Sequence, residues 1–317
     1  MPPVEERLRL AELTMTALAR PEASELPAKI GIHPRPEGSF AHAMPAHLRS
    51  QDVALDLVGM KWVAGFSTNN ALGLPAINAV VVINDPETGL PTAFLDAAPI
   101  TAERTAAISG IAIRYFGPAR GGGTSGVDVA LIGAGVQAHA HLPVVGAVMP
   151  GARLHVFDRH PERGAALAGE ARATNGIHDA TVHDSARAAV EAADVVITAV
   201  SFAPPSERQA MTNAWLRPGA TVVAVDYATM CAAGVARDAA LFVVDHREQF
   251  VANREAGNFD AYPDPTATIG EAILAGMRRP PGRVVVTHLG VGLADLVFAD
   301  VIVRAAIEAG RGTILPR

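Results

Sequence analysis

The fold of this chain is decided by the stretch Val129-Ala130-Leu131-Ile132-Gly133-Ala134-Gly135-Val136-Gln137-Ala138, in which a short apolar run ends in Gly-x-Gly-x-x-Ala. A helix-compatible apolar segment follows. A second β-rich run, Leu154-His155-Val156-Phe157, then ends in Asp158, 25 residues after Gly133. Strand, glycine-rich turn, helix and spaced acid together form the dinucleotide-binding pattern of a βαβ unit. The alternative interpretation is a strand–turn–helix that binds nothing.

Each position of this pattern has a physical task. Gly133 allows the tight turn, Gly135 lets a pyrophosphate approach the backbone, and Ala138 lets the helix pack close to the strand. The helix N-terminus offers free N–H groups and a partial positive charge to the phosphates. The loop residues predicted to contact the cofactor are Gly133, Ala134, Gly135, Val136 and Gln137.

The type of nucleotide is indicated by the acid at the end of the second strand. Asp158 is placed to accept hydrogen bonds from the adenosine ribose, and its charge would repel a 2′-phosphate, which favours NAD. Arg159 follows directly and could pair with that phosphate, so NADP stays open.

Composition limits the class of protein. A length of 317 residues suggests about two domains, and 50% hydrophobic with 5% aromatic residues is typical of an Ala/Val-rich α/β enzyme. The net charge of −6 without a basic run argues against nucleic acid. A lone cysteine, Cys231, favours a reducing compartment. Glycines and prolines interrupt the uncharged stretch 129–152, so we expect no membrane span and a cytoplasmic protein.

The second half of the chain alternates between the two kinds of secondary structure, which predicts a doubly wound parallel sheet. Predicted strands cover 128–132, 153–157, 194–199, 221–226, 240–244 and 283–287. Predicted helices cover 135–149, 161–174, 185–192, 247–256 and 268–277. The clearest linker is the glycine-rich segment from Gly117 to Gly126.

The two ends of the chain have a different pattern. A helix is predicted over 4–20, strands over 58–65 and 79–85, a hairpin partner over 92–96, and a helix capped by Thr101. A last helix from Leu293 to Ala309 is expected to return to the first domain, with Asp295 capping its start. We therefore predict a domain of residues 1–118 plus 293–317 around a Rossmann domain of residues 119–292.

A set of short motifs is spread along nearly the whole chain: Met44-Pro45-Ala46, Lys61-Trp62-Val63, Gly73-Leu74-Pro75, Asp85-Pro86-Glu87-Thr88-Gly89, Ile100-Thr101-Ala102-Glu103-Arg104-Thr105-Ala106-Ala107, the dinucleotide loop, and Gly290-Val291-Gly292-Leu293-Ala294-Asp295. With these motifs in this order, the chain resembles the ornithine cyclodeaminase/μ-crystallin family.

The resemblance implies an α/β protein in which an α+β substrate-binding and dimerisation domain is built from both ends of the chain. It implies homodimers joined through the sheets of that domain, and NAD(H) or NADP(H) as cofactor. It also implies hydride exchange at the α-carbon of a small amino or imino acid, in a family of cyclodeaminases, alanine dehydrogenases and imine reductases.

Three cations are candidates for the substrate site. Arg104 matches the family's carboxylate-binding arginine, and its planar fork suits a carboxylate; the alternative is a surface ion pair with Glu103. Lys61 matches the catalytic lysine; an apolar strand disfavours its charge and lowers its pKa, unless it lies at an edge and reaches water. Lys29 falls where relatives carry a second carboxylate-binding cation, usually Arg, but it could equally be a solvated loop residue. Met44 is predicted to line the same substrate site.

The sequence departs from the cyclodeaminases after the strand at 221–225. It reads Ala224-Val225-Asp226-Tyr227-Ala228, so the family's acid/base aspartate falls on Ala228 and an acid stands two residues earlier. Asp226 is a catalytic candidate, or it ends the strand and caps the next segment. Thr198, Ala199 and Val200 match the segment that passes the nicotinamide, and relatives place the acid that matches Asp295 near the cofactor. His139 and His141 are two apart on a helix, so no metal site is predicted.

Three functions follow in order of preference. The first is NAD(P)-dependent imine reduction or amino-acid dehydrogenation. The second is a redox-neutral ornithine cyclodeaminase, which the departure at Asp226 weakens. The third is a catalytically silent, crystallin-like binding protein. Residues Met44, Phe66, Tyr227 and Met230 are assigned to the pocket walls from their positions alone, and the substrate side chain is left open.

Overall fold

The computed structural model describes residues 1–50, 55–118, 126–203 and 205–315. The linker predicted at Gly117–Gly126 falls for the most part on 119–125, which lie outside the described residues. In chain order the described helices and strands are α1 (Val4–Leu18), β1 (Ser24–Glu25), β2 (Ile30–Ile32), β3 (Phe40–Leu48), β4 (Leu57–Gly65), β5 (Ile77–Asn84), β6 (Pro91–Asp96), α2 (Ala98–Phe116), β7 (Asp128–Ile132), α3 (Val136–Val148), β8 (Ala152–Phe157), α4 (Pro161–Ala173), β9 (Ile177–Val182), α5 (Ala186–Glu191), β10 (Val195–Thr198), β11 (Thr221–Ala224), α6 (Ala233–Arg237), β12 (Leu241–Val244), α7 (Arg247–Glu255), β13 (Ala267–Thr268), α8 (Ile269–Leu274), β14 (Val284–Thr287) and α9 (Gly292–Glu308).

The chain divides into two compact units. The split unit comprises Met1–Arg104 and Val291–Arg317, and the central unit comprises Thr105–Gly290. The division at 104 falls inside α2, whereas the sequence placed the boundary at 118, next to the glycine-rich segment. Glycine content marks where a chain can bend, but compact units are defined by packing, and here the change in packing comes within a helix. The functional assignment of the two domains stays a prediction.

The split unit is built on an antiparallel sheet with the order β1-β3-β4-β5-β6, and β2 pairs with β3. Side chains alternate between the two faces of β4: Lys61 and Val63 are buried, whereas Trp62 is 39% exposed. Helix α9 packs against β3, β4 and β5 and covers the inner face. Apolar residues occur on both faces of β4, and α9 covers the face that carries Lys61 and Val63, which is therefore the inner face.

A glycine sets how closely α9 approaches this sheet. A Cβ atom added to Gly292 would lie 2.4 Å from the carbonyl oxygen of Met44, which is closer than any Cβ contact allows. Met44 pairs directly with Lys61 across β3 and β4. The first turn of α9 therefore lies directly beside this part of the sheet.

The central unit is the predicted doubly wound sheet. Its eight strands run in the order β13-β12-β14-β11-β10-β7-β8-β9, and every pair is parallel. The strand order reverses at β7, and ligands of such sheets bind at the carboxyl ends of the strands near this switch point. Strand β7 leads directly into the glycine-rich turn, so the turn stands at that position. The predicted fold class is confirmed.

Several local predictions were wrong or incomplete. Strands β9 and β13 and helix α6 were not predicted. Polar residues interrupt β9, and β13 and α6 are only two and five residues long, so none of them shows a clear periodic pattern. Helix α2 begins at Ala98, so Thr101 does not cap it. The Asp96 carboxylate accepts a hydrogen bond from the Ala98 amide at 3.0 Å instead. None of the described helices combines the length and the apolar character that a membrane crossing requires.

Candidate active site

Lys61 occupies the middle of β4 on the covered face of the split unit. Its side chain is only 1% exposed, so the predicted burial is confirmed. Its ammonium lies 2.8 Å from Asp295 Oδ2 and donates a long hydrogen bond of 3.4 Å to the Thr101 hydroxyl. An edge-strand lysine reaching water is thereby excluded.

Arg104 reaches the same carboxylate from α2. Its Nε atom donates to Asp295 Oδ1 at 3.1 Å, and its side chain is 6% exposed. The alternative interpretation, a surface pair with Glu103, is wrong because Glu103 pairs with Arg7. One buried carboxylate therefore holds two of the three cations that the sequence singled out, Lys61 and Arg104.

Asp295 is the site residue whose contacts the sequence did not reveal. The sequence assigned it to capping α9, but Val291 is the N-cap and Asp295 lies within the first turn, fully buried. Its partners stand 234 and 191 residues earlier in the chain. The available signal was an acid on the apolar face of a helix, a position where an unpaired charge would be costly.

The charges in this cluster shift the pKa values of Lys61 and Asp295. Burial lowers the pKa of Lys61 to about 7; the Asp295 charge raises it and the Arg104 charge lowers it. Burial raises the pKa of Asp295, but Arg104 and Lys61 more than offset this, and the net pKa lies below its usual value. Lys61 can therefore gain or lose a proton near neutral pH while Asp295 stays ionised.

Further basic groups share the inner face of this sheet. Lys29 immediately precedes β2, whose pairing with β3 runs from Ile30 opposite Ala43, so continuing the ladder brings Lys29 opposite Met44. Burial lowers the pKa of His42 to about 4, and the charges of Lys29, His33 and Lys61 lower it further. Met44, 4% exposed, is the direct partner of Lys61 in the β3–β4 ladder. This face suits an anion.

The glycine-rich turn of the central unit has the features that a bound dinucleotide needs. Gly133 has a φ of 101°, and a Cβ there would lie 2.5 Å from the Ala199 oxygen. A Cβ on Gly135, the N-cap of α3, would meet nothing within 4 Å, and no side chain caps this helix. Val136 is 73% exposed. The N-terminal amides of α3 thus face open space, which fits a pyrophosphate.

The acid at the end of β8 is tied to this turn. Asp158 Oδ2 accepts from the Ala134 amide at 2.7 Å, and Oδ1 accepts from the His160 amide at 2.8 Å. Asp158 is half-buried and Arg159 is exposed. The carboxylate thus supports the loop that it was predicted to complement, and its contact with a ribose stays a prediction.

Asp226 lies at the carboxyl end of β11, beside the predicted nicotinamide segment. Its carboxylate accepts from the Thr198 hydroxyl at 2.9 Å and from the Val200 amide at 3.2 Å. Burial raises its pKa to about 7, and these hydrogen bonds lower it only in part. The following residue, Tyr227, has a positive φ of 59°. Asp226 thus holds the end of β10, and its catalytic role stays a prediction.

A buried hydrogen-bonded chain in the central unit was not predicted. His141 Nδ1 donates to the Gln137 carbonyl at 2.6 Å, its Nε2 lies 2.8 Å from Ser109 Oγ, and Ser109 Oγ lies 2.9 Å from His288 Nε2. Burial lowers the pKa of His141 to about 4, so the ring is neutral and accepts from the serine. The chain joins α2, α3 and the end of β14. His139 instead pairs with Glu170, and no trio of possible metal ligands occurs among the described residues.

The comparison with known proteins identifies the family. The model of the ornithine cyclodeaminase/mu-crystallin family matches residues 3–308. The chain belongs to this family. The family comprises NAD(P)-dependent reductases and dehydrogenases together with the ornithine cyclodeaminases after which it is named.

Three relatives illustrate its range. The chain is 32% identical to the nodulation efficiency protein NfeD of Rhizobium meliloti over 92% of its length and 88% of the relative's. A Thermococcus litoralis Δ1-pyrroline-2-carboxylate reductase, solved with NADH and L-proline, superposes with a TM-score of 0.83 at 25% identity, covering 99% of this chain and 97% of the other. An archaeal alanine dehydrogenase dimer with bound NAD superposes with a TM-score of 0.84 at 25% identity, covering 100% and 95%.

Proposed function

We propose that this protein is an NAD(H)-dependent oxidoreductase that exchanges a hydride with the α-carbon of a small imino or amino acid, acting as an imine reductase or amino-acid dehydrogenase. The observation that carries the proposal is the buried cluster of Lys61, Arg104 and Asp295. Folding stability alone does not account for such a cluster, since replacing buried ion pairs by apolar residues is often neutral or stabilising. Perturbed buried charges of this kind concentrate at functional sites.

The residues of the cluster have distinct tasks in this reaction. The guanidinium of Arg104 and the ammonium of Lys29 hold the substrate carboxylate. Lys61 supplies a proton to the imine nitrogen during reduction and takes it back during oxidation, which its pKa of about 7 permits. A bound nicotinamide supplies or accepts the hydride. Reduction thus consumes one imine, one hydride and one proton and yields one amine.

The central unit is proposed to hold the cofactor. Residues Gly133 to Gln137 would surround the pyrophosphate, Asp158 the ribose, and Thr198 to Val200 the nicotinamide. The half-buried carboxylate of Asp158 favours NAD over NADP, and the exposed Arg159 is the residue through which NADP could still bind. Two of the related structures above carry NADH or NAD, which supports this assignment.

The test is a substrate panel with NADH. Purified protein is given cyclic ketimines, or pyruvate with ammonia, and the absorbance of reduced nicotinamide is followed. We expect NADH consumption with at least one of them, and a much slower consumption in Lys61→Ala. Ammonia release from ornithine without a change in nicotinamide absorbance would instead show a cyclodeaminase. NADH binding without any turnover would show a silent binding protein.

We also propose that two copies associate through the outer face of the split unit's sheet. On that face the ladder aligns Ala43, Trp62 and Val80, and Phe94 lies opposite Val82. Trp62 is 39% and Phe94 67% exposed, which is unusual for aromatic side chains on an ordered sheet. Phe94→Glu should lower the mass measured by light scattering from that of a dimer to that of a monomer. A cytoplasmic location stays a prediction.

A further inference from the structure

The position of Asp295 assigns it a task that neither capping nor substrate binding explains. Both of its oxygens are engaged, Oδ1 by Arg104 Nε at 3.1 Å and Oδ2 by Lys61 Nζ at 2.8 Å, and it is 0% exposed. The carboxylate bridges two cations that come from different elements, β4 and α2. A single acid thus fixes both the direction of the guanidinium and the place of the ammonium.

The charges explain why the bridge matters to Lys61. Arg104, and to a smaller extent Lys29, push Lys61 toward its neutral form, because neighbouring cations repel each other. The carboxylate opposes this effect, and its own ionised form is kept by the same two cations. The first turn of α9 adds to this, since a helix N-terminus favours a negative charge.

The backbone places the carboxylate at this distance. Gly292 begins α9 and lies so close to the Met44 carbonyl that a Cβ would overlap it. Met44 and Lys61 are direct partners in the β3–β4 ladder. A residue larger than glycine at 292 therefore displaces the start of the helix that carries Asp295.

We propose that Asp295 is a positioning residue that holds Arg104 toward the substrate carboxylate and keeps Lys61 protonated up to neutral pH, so that Asp295 sets the pH at which imine reduction fails. The statements about the substrate carboxylate and about imine reduction rest on the proposed function, whereas the effect of Asp295 on the charge of Lys61 concerns the cluster alone. Asp295 acts through Lys61 and Arg104 and need not touch the substrate.

The sequence offers a direct measurement, because it contains only two lysines, Lys29 and Lys61. In protein labelled with ¹³C-lysine, the two Cε resonances report the two ammonium groups, and Lys29→Arg assigns them. We expect the Lys61 signal of the unchanged protein to titrate near pH 7. In Asp295→Asn its midpoint should fall by about one to three pH units, the usual influence of a close opposite charge.

Three further variants make this test specific. Asp300→Asn removes another α9 carboxylate, one that pairs with Arg304, and should leave the Lys61 midpoint unchanged. Asp295→Glu restores the charge and should recover most of the midpoint. Gly292→Ala changes no charge but moves the acid, so the midpoint should fall by less than in Asp295→Asn. This last variant also keeps the proposal testable if Asp295→Asn does not fold.

The outcomes separate the two proposals. A Lys61 midpoint that is unchanged or raised in Asp295→Asn and Gly292→Ala overturns the role of Asp295, even if NADH-dependent reduction is found. A lowered midpoint without turnover on any substrate supports the role of Asp295 and counts against the proposed function. Where turnover exists, the upper pH limit of kcat/KM for reduction should move with the Lys61 midpoint. A limit that does not move overturns the claim that Asp295 sets the pH at which imine reduction fails.

Discussion

Two aspartates, one in each unit, are buried to nearly the same extent and differ in charge. Asp295 in the split unit is 0% exposed and contacts two cations, and its pKa lies below the usual range. Asp226 in the central unit is 3% exposed and contacts a hydroxyl and backbone amides, and burial raises its pKa to about 7. Burial acts in the same direction on both, so the partners decide the outcome.

The difference assigns them different uses. A carboxylate held by two cations is a fixed charge near neutral pH and is suited to orienting other groups. A carboxylate held by neutral donors shares a proton with its surroundings near pH 7, which fits either an acid/base role or a support for the end of β10. The bonding partners, and not the residue type, distinguish the two.

The largest expected effect is the loss of activity on removal of Lys61, the ion-pair partner of Asp295. Lys61→Ala removes the proton carrier, and kcat/KM for NADH-dependent reduction should fall by about 10²- to 10⁴-fold. Lys29→Ala removes the other lysine and should raise KM more than it lowers kcat. If Lys61→Ala loses less activity than Asp226→Ala, the acid/base function belongs to the central unit.

The next effect contrasts the stabilities of the two aspartate variants. Asp295→Asn leaves Arg104 without its buried anion and drives Lys61 toward its neutral form, which costs about 3–5 kcal/mol of unfolding free energy. The thermal midpoint should drop throughout the range from about pH 5 to 8, because a group with a lowered folded pKa stabilises at every pH above its unfolded value. Asp300→Asn serves as the control on the same helix.

Asp226→Asn should show the opposite dependence on pH. A carboxyl whose folded pKa is raised loses stability as the pH rises from its unfolded value of about 4 to its folded value of about 7. The variant lacks this loss, so its thermal midpoint relative to the unchanged protein should rise over that window and then level off. A difference that is flat with pH would contradict the raised pKa.

The sequence indicated residues with local signals in both units, but it did not reveal the contacts of Asp295. Lys61, Gly133 and Asp158 were found because their signals are local: a lysine in an apolar strand, and a glycine-rich turn with an acid at a fixed spacing. The dominant contacts of Asp295 are made by residues 191 and 234 positions away. No periodicity in a single sequence encodes such a contact.

The wrong prediction at Thr101 has a local cause. A threonine at the start of a helix indicates a cap, but Asp96 accepts a hydrogen bond from the earlier amide of Ala98, where α2 begins. The hydroxyl of Thr101 instead donates to the Ala97 carbonyl at 2.8 Å. Propensity alone could not decide between two capping residues five positions apart.

A third aspartate extends the comparison to a half-buried site. Asp158 is held by the Ala134 and His160 amides, and Asn at this position keeps one acceptor but loses the charge. We expect Asp158→Asn to weaken NADH binding by about tenfold, as one lost hydrogen bond to a charged group implies, and to weaken NADPH binding less. Asp179→Asn, an exposed carboxylate of the same unit, is the control in a fluorescence titration. Equal losses for both nucleotides would argue against a ribose contact.

The smallest expected effect concerns the neutral partner of Lys61, the hydroxyl of Thr101. The Thr101 hydroxyl gives its proton to Ala97, so it can only accept from the lysine, and at 3.4 Å the bond is weak. Thr101→Val keeps the side-chain shape and should cost about 0.5 kcal/mol, roughly a two- to threefold change in the proton affinity of Lys61. The same lysine-labelled titration measures it. A shift as large as that of Asp295→Asn would mean that neutral donors and acceptors control both buried sites, and the contrast between the two aspartates would no longer rest on charge.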